Sequence, residues 1–150
     1  MNPKRVGSFK FEGFMMQRQD SNEALKKSIS DTVEKIKAIG GDKVRFVVLY
    51  GSAVKGKLTK LSDVDIAVFY NGDKGERFEF RKKILGRVSN EFDIQIFQDL
   101  PLYVQKDILS TGKEIYSVDY RETFEIFMKV IRGFEDFKPR LDVYYSGLGV

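Results

Sequence analysis

The sequence predicts an α+β domain: a small mixed β-sheet with helices packed on one face and an extra long C-terminal helix. Three observations carry this. Val44–Tyr50 is a nearly continuous apolar, β-branched run, residues 91–97 alternate apolar and polar side chains, and apolar residues recur at helical spacing before, between and after these runs. The chain of 150 residues is 42% hydrophobic and 32% charged, enough for one core and cramped for two.

Taken in order, residues 1–20 form an aromatic, Gly-punctuated arm in which Phe9 and Phe11 alternate with Lys10 and Glu12, as an edge strand or a flexible arm would. Asp20, with Glu23 three residues on, can cap a first helix over about 22–39, carried by Leu25, Ile29, Val33 and Ile36 and stopped by Gly40 and Gly41. Val44–Tyr50 is the central strand. A second strand spans 63–70, and an Asn71-Gly72 turn leads to a helix over 76–89 with a Phe80, Ile84, Val88 stripe. The third strand is 91–97. Pro101 opens a helix to about residue 110, Gly112 ends it, residues 115–116 are a short extended stretch, and 120–137 form a long final helix interrupted by Pro139. The expected organisation is one domain over 1–150, with the arm, a core at 44–116 and a helical extension at 119–150.

Composition removes several chemistries. There is no His and no Cys, so Ser-His-Asp and Cys-His catalysis, zinc held by imidazole or thiolate, haem ligation and disulfides are out of reach. A metal here must be a hard cation held by oxygen. The net charge of +4 suits a small polyanion or an acidic partner and is too thin for duplex DNA, so nucleic acid is not the expected partner. No stretch approaches the ~20 apolar residues of a membrane helix, and the expectation is a cytoplasmic protein.

The chemistry gathers around two carboxylates. Asp is disfavoured in strands, yet Asp63 and Asp65 stand two apart in an apolar one and project from the same face. Side by side they repel unless a cation lies between them, and Mg²⁺ wants such oxygens. Asp93 repeats the theme in the third strand, where it shares a face with Gln95 and Phe97; if the second and third strands are neighbours, three carboxylates meet. The first strand ends in Gly51-Ser52, whose backbone N–H groups and hydroxyl suit an anion, and Lys55 and Lys57 add positive charge just beyond. A phosphate cradle beside a metal site is a nucleoside-triphosphate site.

The run from Gly51 to Val68, reading Gly-Ser, ten residues, Asp-x-Asp, resembles the motif of the polymerase-β-like nucleotidyltransferases, and most of all their minimal, or MNT, members. Phe92-Asp93-Ile94 is similar to that family's third-carboxylate strand, and the helix-Gly-strand stretch over 108–116 is similar to the one that commonly follows. Lys55 stands where the family often has Arg, which keeps the charge and loses bidentate geometry. The resemblance implies the polymerase-β-like fold, two Mg²⁺ ions held by Asp63, Asp65 and Asp93, and ATP as donor. It also implies that Gly51, Ser52, Lys55, Lys57 and Ser62 bind the nucleotide and that Asp93 lies close to the acceptor hydroxyl.

Minimal members are frequently antitoxins paired with a HEPN-type RNase, and some transfer AMP to a toxin tyrosine. HEPN RNases use a His, so a chain without His requires a separate partner. In the final helix Phe124, Phe127, Met128 and Ile131 form a stripe that Ile126, Val130, Phe134 and Phe137 widen to about twice the ~100° that packing on one surface takes. The surplus over 124–137 suits a partner helix or a second copy of the chain. A binding-only antitoxin and a small-molecule, aminoglycoside-type nucleotidyltransferase are the alternative functions.

Overall fold

In the computed structural model, residues 9–51, 54 and 64–147 are described, with side chains over 23–51, 54 and 64–135. The backbone divides into two units, Met1–Glu34 and Lys35–Val150. Helix α1, Phe9–Gly40, starts in the first and ends in the second.

The edge strand at Phe9 and Phe11 does not form, and the first helix does not start after Asp20, because one helix runs straight through both positions. One alternating pair supplies no ladder. Extending an existing helix through Met15, Met16, Gln17 and Arg18 adds one hydrogen bond per residue with no new nucleation cost. The helix stops at Gly40, and Gly41 takes a φ of 58°, as expected of a glycine-terminated helix.

In the second unit, β1 (Val44–Tyr50), β2 (Val64–Tyr70), β3 (Phe92–Ile96) and β4 (Lys113–Ser117) form a mixed sheet in the order β3-β2-β1-β4. The β1–β2 and β1–β4 pairs are antiparallel and β2–β3 is parallel. Helices α2 (Lys74–Leu85), α3 (Leu102–Thr111) and α4 (Tyr120–Gly147) complete it. The mixed sheet and the long C-terminal helix are those the sequence predicts, whereas the helices, expected on one face, cover both, α3 and α4 on one and α2 on the other, because both faces of the strands are apolar.

The register sorts the side chains into two faces. Phe46, Val48 and Tyr50 lie opposite Phe69, Ala67 and Asp65, and Asp65 and Ala67 lie opposite Asp93 and Gln95, so these residues share one face. Phe46, Val48, Ala67 and Phe97 bury themselves there with Ile108 of α3 and Val130 of α4. The Phe46 ring meets Phe69 and Phe97 at 5.2 Å and Phe127 of α4 at 6.2 Å, so α3 and α4 close this face. The opposite face is buried as well. Ile66, Val68, Ile94 and Ile96 lie there, and Tyr70 stacks at 4.0 Å on Phe80 of α2.

Three helix boundaries, both ends of α2 and the end of α4, differ from expectation for local reasons. Helix α2 begins before residue 76 because Asp73 caps it: its carboxylate accepts from Glu76 N–H at 2.8 Å while the Glu76 carboxylate accepts from Asp73 N–H at 3.0 Å. It ends at Leu85, which leaves Val88 outside the stripe. Helix α4 continues past Pro139 to Gly147, so the interruption expected there does not occur; proline removes one intrahelical bond and strains the turn without having to end a long helix. The first turn of α4 is tied to β1 by Arg45, whose Nε donates to Glu122 Oε1 at 2.9 Å and whose terminal nitrogen donates to Oε2 at 2.5 Å. Among the described residues, no helix is long and apolar enough to cross a membrane.

Candidate active site

The acidic strand ends meet in one row. Asp65 lies at the start of β2 and Asp93 at the start of β3, and the parallel register pairs them directly. Neighbouring strands stand about 4.8 Å apart, so in-register side chains on one face are side by side. On the other side of Asp65 the antiparallel register places Tyr50, the last residue of β1. The row therefore reads Tyr50, Asp65, Asp93, at the strand end where the chain leaves β1 through Gly51.

Gly51 has two reasons to be glycine. Its φ is 75°, a left-handed conformation that side chains resist, and a Cβ there would overlap the Asp65 carboxylate. The backbone turn and the carboxylate thus approach as closely as the sequence motif anticipates. Ser52, Lys55, Lys57, Ser62 and Asp63 lie outside the described residues. Of the predicted site residues, the structure brings together Gly51, Asp65 and Asp93.

Two further residues shape the row, and sequence reasoning assigned neither a role. The Gln95 amide Nε2 donates a hydrogen bond to Asp93 Oδ1 at 2.9 Å. Tyr50 is half-buried; burial first, then the charges of Asp65 and Asp93, push its phenol up to about 12. The period of two already sets Gln95 beside Asp93, and the signal for Tyr50 is its position just before Gly51, which becomes informative only once the register with β2 is known.

Asp65 and Asp93 offer hard oxygen donors from two rigid strands, the donor chemistry a divalent cation such as Mg²⁺ requires. No group of three possible ligands comes together among the described residues, which do not include Asp63. On the same face, a cleft of about 410 Å³ lies toward Phe69 and Phe97, walled also by Leu102 and Ile126 with Lys129 and Gln105, and no predicted site residue lines it.

Comparison with known proteins identifies the family. Residues 34–121 match the family described as "Polymerase beta, Nucleotidyltransferase". The chain is 37% identical over 99 residues to a protein of Methanocaldococcus jannaschii named for protein adenylyltransferase activity, across 66% of this chain and 76% of that one. A crystal structure of a toxin–antitoxin with AMP-PNP is similar at a TM-score of 0.66 and 17% identity, over 80% of this chain and 98% of the other. A structure of tri-AMPylated Shewanella oneidensis HEPN toxin in complex with MNT antitoxin is similar at 0.60 and 16%, over 80% and 95%. At such identity these structures speak for the fold, and the matched span, which runs through Gly51, Asp65 and Asp93, speaks for the family: the chain belongs to the polymerase beta nucleotidyltransferases.

Proposed function

We propose that this nucleotidyltransferase moves AMP from ATP to a tyrosine hydroxyl of a separately encoded helical protein, in the manner of an MNT antitoxin acting on a HEPN toxin. The observation that carries the reading is the in-register pair Asp65 and Asp93 beside the positive-φ turn at Gly51. The relative named for adenylyltransferase activity and the AMPylated toxin of the similar complex support the choice of donor and acceptor.

Asp63, Asp65 and Asp93 would hold Mg²⁺, which when bound supplies charge for the triphosphate and for the attacking oxygen. Asp93 accepts the acceptor's proton as its oxygen bonds to the α-phosphorus, and the bond from that phosphorus to the bridging oxygen breaks to release pyrophosphate. Gly51 N–H, Ser52 and Ser62 bind phosphate oxygens while Lys55 and Lys57 offset the leaving charge. The catalytic core proposed is 44–116, which lies within the matched span 34–121.

The acceptor protein docks in part on α4. Tyr120, Phe124, Met128 and Ile131 recur at helical spacing and are 77%, 51%, 37% and 40% exposed, an apolar stripe that the molecule's own core leaves uncovered.

Asp65→Asn and Asp93→Asn are each expected to cut AMP transfer by at least about 100-fold, the scale of losing a positioned acid-base or metal-binding group. Thermal melting without metal should show a fold at least as stable as wild type, because one of two repelling charges is gone. Transfer at the wild-type rate in either variant contradicts the assignment.

A further inference from the structure

The row of side chains behind the carboxylates is apolar except at one point. Ala67 pairs with Val48 on one side and Gln95 on the other, and both Val48 and Ala67 belong to the buried cluster under α3 and α4. A half-buried amide in such a row is costly unless hydrogen-bonded, so packing alone favours an apolar residue there. The bond that satisfies the amide runs from Gln95 Nε2 to Asp93 Oδ1 at 2.9 Å. It is a bond to an ionisable group from an amide on the same rigid strand. The terminal torsion of Asp is otherwise broad, and a carboxylate with no second contact samples many orientations.

We propose that Gln95 is a positioning residue that fixes the Asp93 carboxylate by occupying Oδ1, leaving Oδ2 to meet the ligand. This rests on the reading of Asp93 as part of the transferase site. Gln95 acts through the residue it orients, as outer partners of metal-binding carboxylates do. Its loss should therefore act on turnover and on metal binding and leave the grip on ATP alone.

The test uses the full chain and its acceptor with Gln95→Met, which keeps the length and removes the donor, and Gln95→Glu, which replaces the donor with an acceptor. Turnover should fall about 10–100-fold in both, with KM for ATP within about twofold of wild type. Binding of Mn²⁺ in the presence of AMP-PNP, read by electron paramagnetic resonance, should weaken about tenfold or more. The melting temperature of Gln95→Met should be unchanged or raised. A Gln95→Met protein with wild-type turnover and wild-type Mn²⁺ binding overturns the proposal, as does a fall in melting temperature that accounts for the whole loss. Should the wild-type chain transfer nothing, the functional reading fails by itself, and the Mn²⁺ titration still decides the role of Gln95.

Discussion

Tyr50 shows how a neighbour's charge and burial act together on one group. A phenol whose folded value is raised from 10.0 to about 12 binds its proton more tightly in the folded state. The stability it contributes is complete below pH 10 and is lost as pH climbs through about 12. Tyr50→Phe, which has nothing to ionise, is expected to give a flatter stability curve between pH 10 and 12, measured by urea unfolding at several pH values; curves of equal slope would contradict the raised value. Asp65, Asp93 and Gly51 were legible in the sequence because residue type conflicted with local structure: carboxylates in a strand and a glycine at the end of an apolar run. Tyr50 and Gln95 carry no such conflict, and their roles come from cross-strand register, which a single sequence does not display.

At the scale of the element, α4 buries only part of its wide apolar arc. Ile126, Phe127 and Val130 turn inward: Phe127 meets Phe46, Ile126 packs on the buried cluster, and Val130 belongs to it. Phe134 lies under Lys106 of α3, whose Nζ stands 4.9 Å from its ring. Phe124, Met128 and Ile131 stay exposed, while the side chain of Phe137 lies outside those described. The half of the arc at Val130 and Phe134 thus belongs to the chain's own fold, and the exposed stripe from Tyr120 to Ile131 is the half proposed to dock the acceptor. Val130→Ala is expected to cost about 2 kcal/mol of stability by denaturant unfolding, as a buried truncation does. Phe124→Asp is expected to leave stability within about 0.5 kcal/mol, as surface changes do, and to abolish binding of the acceptor protein in a pull-down. Retained binding in Phe124→Asp would remove the stripe from the interface.

The strands were the most legible elements, β1 to the residue and β2 and β3 to within one residue where both ends are described, because their apolar runs and alternation leave little choice of face. Helix ends were less so. The extension of α1 to Phe9 and of α4 past Pro139 depends on the cooperativity of a long helix, which outweighs local strand-like alternation at one end and a single proline at the other.

For the whole molecule, the absence of His and Cys leaves oxygen as the donor for any metal, and the carboxylate row supplies such oxygens in a chain of the nucleotidyltransferase family. The sheet order is the reason: β2 stands between β1 and β3, so the Gly51 turn reaches Asp65 on one side while Asp93 flanks it on the other. The fold gathers Gly51, Asp65 and Asp93 at one edge of the sheet face and leaves an apolar stripe exposed on the last helix, as the proposed transfer to another chain requires. The most direct measurement incubates the protein with a HEPN-type helical protein, Mg²⁺ and ATP labelled in turn on the α- and γ-phosphates, and locates the label by mass spectrometry. The account predicts the α-label on a tyrosine of the partner, none from the γ-phosphate, and an equal amount of released pyrophosphate. Label found only on nucleic acid or on a small molecule, or γ-phosphate transferred to protein, would contradict it.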